Sequence, residues 1–231
     1  DPFGYRFTDP INGATEQLPF DLAARAASSV AVSDNLIVTT NVRNSTVVVI
    51  DRASGRVLHT IKEFKQPMGV VITAGGDIYV SAYASGEIVK VTPGLTPQKR
   101  TVVTDLAGPG GLAADKTGRV IVAEATTGTL SRIDMTTGAK ETLMQGLNQP
   151  EGVSVLPDGR IAVAEVGAKR LTLIDGDTHQ VIAENLPVGT FITRAPAPVF
   201  LPTGVAADKS GAIYVTCDGD NSVLKFTPRK N

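Results

Sequence analysis

The sequence predicts an all-β protein built from repeated four-stranded units. Three observations carry this: a motif recurring about every 40 residues, β-branched runs bounded by turn residues, and no stretch with the periodicity of a long helix. The motif is Pro-x-Gly followed by a short apolar strand. Its Gly falls at Gly69, Gly111, Gly152 and Gly204, a degenerate copy places Ser29 in the slot, and the intervals are 40, 42, 41 and 52 residues.

Each copy runs through the same pieces. First strands cover 70–73, 112–114, 153–156 and 205–207, and the turns that follow read TAGGD, ADKTGR, LPDGR and ADKSGA, with Gly where a positive φ is needed. Second strands read LIVTTN, IYVSA, VIVAE, IAVAE and IYVTC, rich in β-branched residues. Third strands (STVVVID, EIVKV, LSRID, LTLID, SVLKF) alternate as half-buried strands do, and a fourth usually follows. Such units closed into a ring leave only short, protected edges. The prediction is therefore a single β-propeller domain over 1–231 with five or six blades, its repeats near 26–65, 66–107, 108–148, 149–200 and 201–228.

Closure is also readable. The last copy stops after its third strand at Phe226, and GATEQLPFDL at 13–22 aligns with the fourth-strand stretch GAKETLMQGL at 138–147, so an N-terminal strand is expected to complete the last blade. YRFTD at 5–9 aligns in turn with the third strand LSRID at 130–134. Either that segment is extra to five blades, or a sixth blade lacks its first two strands here; the second is the preferred reading.

Composition bounds the partners. With 42% hydrophobic and 19% charged residues the chain can bury a core. A formal net charge of −1 without a Lys/Arg cluster gives no footprint for nucleic acid or an anionic membrane surface. The single cysteine, Cys217, excludes an internal disulfide and multi-Cys zinc patterns. No apolar run approaches the roughly 18 residues of a membrane helix. The chain begins at Asp1 with neither an initiator Met nor a signal pattern, so a periplasmic or secreted location is expected.

NLIVTTNVRNSTVVVIDRASGRVLHTI resembles the YVTN repeat, and QPMGV, GPGGLAADKTG and LPTGVAADKSGAIYV resemble the NHL, virginiamycin-lyase and senescence-marker-protein/gluconolactonase group, over about 13–228. The resemblance implies that first-strand starts and second-strand ends share one face around the central channel. The first set of slots holds Ser28, Met68, Gly110, Glu151 and Thr203; the second holds Asn41, Ala82, Glu124, Glu165 and Cys217. On that basis Glu124, Glu151, Glu165, Asn41 and Asp218 are expected to converge as oxygen ligands for Ca²⁺ or Mg²⁺, with Glu165 and Glu124 as catalytic groups. The competing expectation is that Glu124 and Glu165 are merely solvated strand ends.

Met68, Cys217 and the residues Phe191, Arg194 and Phe200 of the ten-residue expansion at 187–200 are the expected substrate-binding set. Two departures from the family pattern matter. No Asn occupies a Pro-x-Gly slot, and the two histidines, His59 and His179, enter outer fourth strands, away from the position of a lyase base. GPGGLAADKTG and CDGDNS read as blade turns, not as phosphate or calcium loops. Two functions follow: a divalent-metal-dependent hydrolase of lactonase or esterase type acting on a small molecule, or a non-catalytic propeller that recognises a protein or cell-wall partner through its loops.

Overall fold

A computed structural model describes residues 27–189 and 202–228, together with the backbone of four short strands at 6–8, 15–17, 191–192 and 199–200. The first two of these, β1 (Arg6–Thr8) and β2 (Thr15–Gln17), form an antiparallel hairpin. The first blade is β3 (Ser29–Val32), β4 (Leu36–Asn41), β5 (Thr46–Asp51) and β6 (Val57–Ile61). The second is β7 (Pro67–Ile72), β8 (Ile78–Ala82), β9 (Glu87–Thr92) and β10 (Gln98–Val103). The third is β11 (Pro109–Ala114), β12 (Val120–Glu124), β13 (Thr129–Ile133) and β14 (Lys140–Met144), and the fourth is β15 (Pro150–Val155), β16 (Ile161–Glu165), β17 (Arg170–Asp175) and β18 (Thr178–Ala183). A two-residue pairing of β19 (Phe191–Ile192) with β20 (Val199–Phe200) precedes the fifth blade, β21 (Val205–Ala207), β22 (Ile213–Cys217) and β23 (Ser222–Phe226).

The protein is an all-β propeller of five blades. Four are antiparallel meanders of four strands, and the fifth shows three among the described residues. The stretch expected to complete that blade contributes Thr15–Gln17 to the hairpin with β1, the pairing implied by aligning 5–9 with a third and 13–22 with a fourth strand. The rest of 13–22 lies outside the described residues. Among these no helix is long and apolar enough to cross a membrane.

The core lies between blades rather than within them. The second strands β8, β12 and β16 are buried on both faces because each is covered by a neighbouring blade on either side. Val38, Val47 and Val49 of the first blade meet Val70, Ile78 and Val80 of the second. Val71, Tyr79 and Ile88 meet Leu112, Val120 and Val122 of the third; Ile121 and Leu130 meet Val163 and Ile174 of the fourth; Leu171 and Leu173 meet Ile213 and Val215 of the fifth. Non-directional burial of this kind supplies most of the stability.

The ring is drawn tight around its axis by the repeated glycine. A Cβ placed on Gly69, Gly111 or Gly152 would sit 2.4, 2.3 and 2.4 Å from the carbonyl oxygens of Gly110, Glu151 and Thr203, the middle residue of the next blade's motif each time. Only hydrogen fits in that gap. Hydroxyls span the same joint: Thr40 Oγ1 donates to Met68 O at 2.9 Å and Ser81 Oγ to Gly110 O at 2.6 Å.

Gly111→Ala drives a methyl group into a backbone carbonyl that cannot turn aside. It is expected to destabilise the fold by about 2 kcal/mol or more, whereas Gly75→Ala, whose added Cβ meets nothing nearer than 3.8 Å, is expected to be near neutral. Urea denaturation of the two variants measures the difference.

Candidate active site at the channel mouth

In the second, third and fourth blades the proline of Pro-x-Gly pairs with the last residue of the second strand (Pro67 with Ala82, Pro109 with Glu124, Pro150 with Glu165), and the register then slips before pairing resumes at Val70, Leu112 and Val153. A bulge of this kind takes the next residues out of the ladder and re-aims them. The middle residues Ser28, Met68, Gly110, Glu151 and Thr203 of all five blades accordingly line one central cavity of about 270 Å³.

Among the described residues one carboxyl side chain lines that cavity. Glu151 is 3% exposed; its Oε2 accepts the Thr203 amide at 2.8 Å, and its Oε1 has no partner. The Thr203 hydroxyl is likewise buried, beside the carboxyl. Burial, with the Asp218 carboxylate adding to it and the Thr203 amide opposing it, pushes Glu151 up to about 8. The group is therefore a neutral acid at pH 7, its Oε1 left without a hydrogen-bond partner among the described residues.

Glu124 and Glu165 stand elsewhere, and strand parity explains why. Side chains two apart share a face, so Glu124 lies on the side of Val120 and Val122, against the second blade, and Glu165 on the side of Ile161 and Val163, against the third. Both are buried, at 2% and 0% exposure. Glu124 accepts the Ala107 amide at 2.9 Å, the Ser131 hydroxyl at 2.6 Å and the Lys140 ammonium at 2.7 Å. Glu165 repeats the set with the Asn148 amide at 2.8 Å, the Thr172 hydroxyl, and Arg170 in a two-pronged pair at 2.7 and 2.9 Å.

Burial pushes both carboxyls up, but the amide, hydroxyl and cation together outweigh it and hold each below the usual carboxylate value. They are neither solvated strand ends nor free ligands; each ties the linker entering its blade to the second and third strands. A signal for this was present in the sequence: a hydroxyl stands seven residues after each Glu (Ser131, Thr172), where the apolar and amide slots Ala82, Cys217 and Asn41 are followed by Val89, Leu224 and Val48.

The remaining candidates divide. Met68 lines the cavity. Cys217 lies instead in the core between the fourth and fifth blades, its thiol directed to Val215 O and its pKa raised chiefly by burial, which makes it no part of a binding surface. Asn41 Oδ1 accepts the Asn44 amide in the turn after β4, and Asp218 Oδ1 accepts the Gly189 amide. Arg194 and the side chains of Phe191 and Phe200 lie outside the described residues. Among the described residues no three His, Cys, Asp or Glu side chains come together to hold a metal ion.

A ring of meander blades around a channel whose mouth holds one buried acid places the chain among the β-propellers. No protein-family model matches the sequence, and comparison with curated protein sequences gives no match. Among solved structures, the fold is similar to a gluconolactonase of Xanthomonas campestris, with a TM-score of 0.70 at 16% identity over 99% of this chain and 85% of that one. It is also similar to a catalytically inactive virginiamycin B lyase of Staphylococcus aureus with quinupristin (0.61, 13%, 94% of this chain and 75% of that one) and to a chain of a nidogen/laminin complex (0.64, 16%, 77% and 70%). At these identities the likeness is one of fold, and it includes the gluconolactonase-like and lyase-like propellers.

Two outcomes follow from the carboxyls. Removing Glu165 strands a partly buried guanidinium and a linker amide, so Glu165→Ala is expected to cost about 3 kcal/mol in urea denaturation. The pH dependence runs in opposite directions at the two kinds of site. The depressed values of Glu124 and Glu165 give stability that is present above their unfolded value of 4.5 and lost as pH falls below it. Glu151 has a folded value of about 8 above an unfolded 4.5, so its contribution is full below 4.5 and is lost as pH rises toward 8, by up to about 5 kcal/mol. Melting curves across that window are expected to fall with pH in the wild type and to flatten in Glu151→Gln.

Proposed function

We propose that the protein is an enzyme acting on a small uncharged molecule in the channel mouth, a hydrolase of lactone or ester type, with Glu151 as its acid–base group. The observation that carries the reading is the buried Glu151 carboxyl in the 270 Å³ cavity, one oxygen of which the protein leaves unsatisfied. A group with a pKa near the working pH is what general acid–base catalysis requires. Among the described residues no Lys or Arg lines the cavity, and Glu151 with Asp218 beside it disfavours an anion, so a neutral substrate fits the charge. The gluconolactonase among the structural neighbours lends support to the lactone class.

Protonated Glu151 donates its hydrogen to the carbonyl or leaving oxygen of the substrate, and the carboxylate so formed takes a proton from the attacking water. The Thr203 amide fixes the carboxyl through Oε2, and the Thr203 hydroxyl stands beside it, within reach of a bound substrate. The calcium or magnesium site expected from the sequence does not fit the donors among the described residues: Glu124 and Glu165 are held by cations of the protein and the Asn41 oxygen accepts the Asn44 amide, leaving Glu151 and Asp218 where Ca²⁺ takes six to eight oxygens.

The test is hydrolysis of a panel of uncharged lactones and esters, followed by pH-stat. Turnover is expected to change through a midpoint near 8, and Glu151→Gln to lower kcat/KM by about 10²- to 10⁴-fold. Turnover indifferent to that substitution, or no turnover of any member, overturns the assignment; the second outcome favours the binding propeller. Melting EDTA-treated protein against Ca²⁺ and Mg²⁺ closes the metal question, since a saturated site raises the midpoint by on the order of 5 to 10 °C.

A further inference from the structure

The residues at the middle of Pro-x-Gly follow one another around the channel in blade order, so Gly110 stands between Met68 and Glu151. The glycine after it is compelled: a Cβ on Gly111 would lie 2.3 Å from Glu151 O. Gly110 is under no such constraint. A Cβ there would meet Ala123 O and Glu151 O at 3.6 Å, ordinary van der Waals contact, and its φ lies outside the positive region. Neither the interblade joint nor a turn therefore accounts for glycine at this position. What the missing side chain leaves open is the part of the cavity next to the acid.

The two flanks of that opening differ in chemistry. On one side stand Glu151 and Thr203; on the other stands Met68, 4% exposed, with the buried Val70 and Leu112 two residues along from Met68 and Gly110. Tyr83 borders the same flank, since a Cβ on Gly108, two residues before Gly110, would lie 3.1 Å from Cζ of its ring. This flank offers thioether, aliphatic and ring carbon. A polyhydroxylated ring pressed against it leaves hydroxyls without partners, whereas an alkyl group gains from the same burial. A cavity of about 150 Å³ lined by aliphatic and aromatic side chains takes up benzene, so 270 Å³ holds roughly ten heavy atoms, enough for a five-membered lactone with about four carbons attached.

We propose that the cavity selects an uncharged lactone or ester that carries an aliphatic arm, the arm lying over Gly110 against Met68 and Tyr83 while the carbonyl faces Glu151, and that Gly110 and Met68 set the length and polarity of the arm accepted. The orientation rests on the acid–base reading of Glu151 given above. The discrimination itself is a property of binding and is tested without turnover.

The probes are cyclopentanones bearing unbranched 2-alkyl arms of increasing length, which present the carbonyl and the arm but have no bond to hydrolyse; affinity is measured by ligand-detected NMR. In the wild type the affinity is expected to rise about four-fold per methylene until the arm reaches about four carbons, and then to level off. Gly110→Leu fills the opening and is expected to erase the gain from the arm. Gly110→Ala, whose Cβ fits without displacing the backbone, is expected to shorten the best arm, and Met68→Ser to weaken the long-armed members about ten-fold. Melting midpoints establish that each variant is folded. Affinity indifferent to the arm, an arm preference unchanged in both Gly110 variants, tighter binding of a polyhydroxylated ketone of the same size, or no binding of any member overturns the proposal. Arm-dependent affinity in a protein that hydrolyses no lactone leaves this selection standing and removes the hydrolase assignment; lactone hydrolysis blind to the arm does the reverse.

Discussion

The whole ring depends on a steric constraint at its axis. Successive blades approach so closely that the first strand of one has its Cα against a backbone carbonyl of the next, at Gly69, Gly111 and Gly152. Tight approach is what lets the apolar faces of β8, β12 and β16 be covered from both sides, and it is why the motif demands glycine irrespective of φ. The Ser81 hydroxyl fastens the Gly110 carbonyl and the Thr40 hydroxyl its counterpart at Met68, so the joint is both sterically and directionally defined. Outside this inner seam, each linker is pinned to the turns it passes: the amides of Phe64, Leu106, Leu147 and Leu186 donate to carbonyls in the preceding blade's turn.

Much of this was legible in the sequence, for physical reasons that differ from part to part. Repeats declare themselves because every blade must solve the same turn and the same close approach with the same few residue types. The strand-end carboxyls were harder. Position alone suggested that Glu124 and Glu151 share a mouth, yet the two are separated by a bulge in one case and by strand parity in the other. Residue 151 follows a proline that ends the pairing and is turned toward the axis; residue 124 keeps step with Val120 and Val122 and is turned toward a neighbouring blade. Counting by twos along VIVAE would have placed the carboxyl correctly, and Ser131 would have named its partner. Glu151, by contrast, gave its location but not its isolation, which depends on what the surrounding chain fails to offer it.

Charge is distributed accordingly. The carboxylates that have cations face blade interfaces, where an unpaired charge costs most, and the acid that lacks one sits where a ligand can reach the cavity. Joints into the third and fourth blades thus carry an ion pair each, whereas the joint into the second blade has Ala82 in the same slot and relies on apolar packing. The fifth blade has Cys217 there.

Because the middle residue of Pro-x-Gly offers its carbonyl to the blade before it and its side chain to the channel, the chemistry of the mouth and the closest joint of the ring are written largely on separate atoms. The preceding blade reads the carbonyl; the channel reads the side chain. Ser28, Met68, Gly110, Glu151 and Thr203 already span hydroxyl, thioether, hydrogen and carboxyl without any change in how the blades meet. Five positions can therefore drift through new functional groups at little structural risk, so that a scaffold of this kind accumulates catalytic variety faster than it loses its shape.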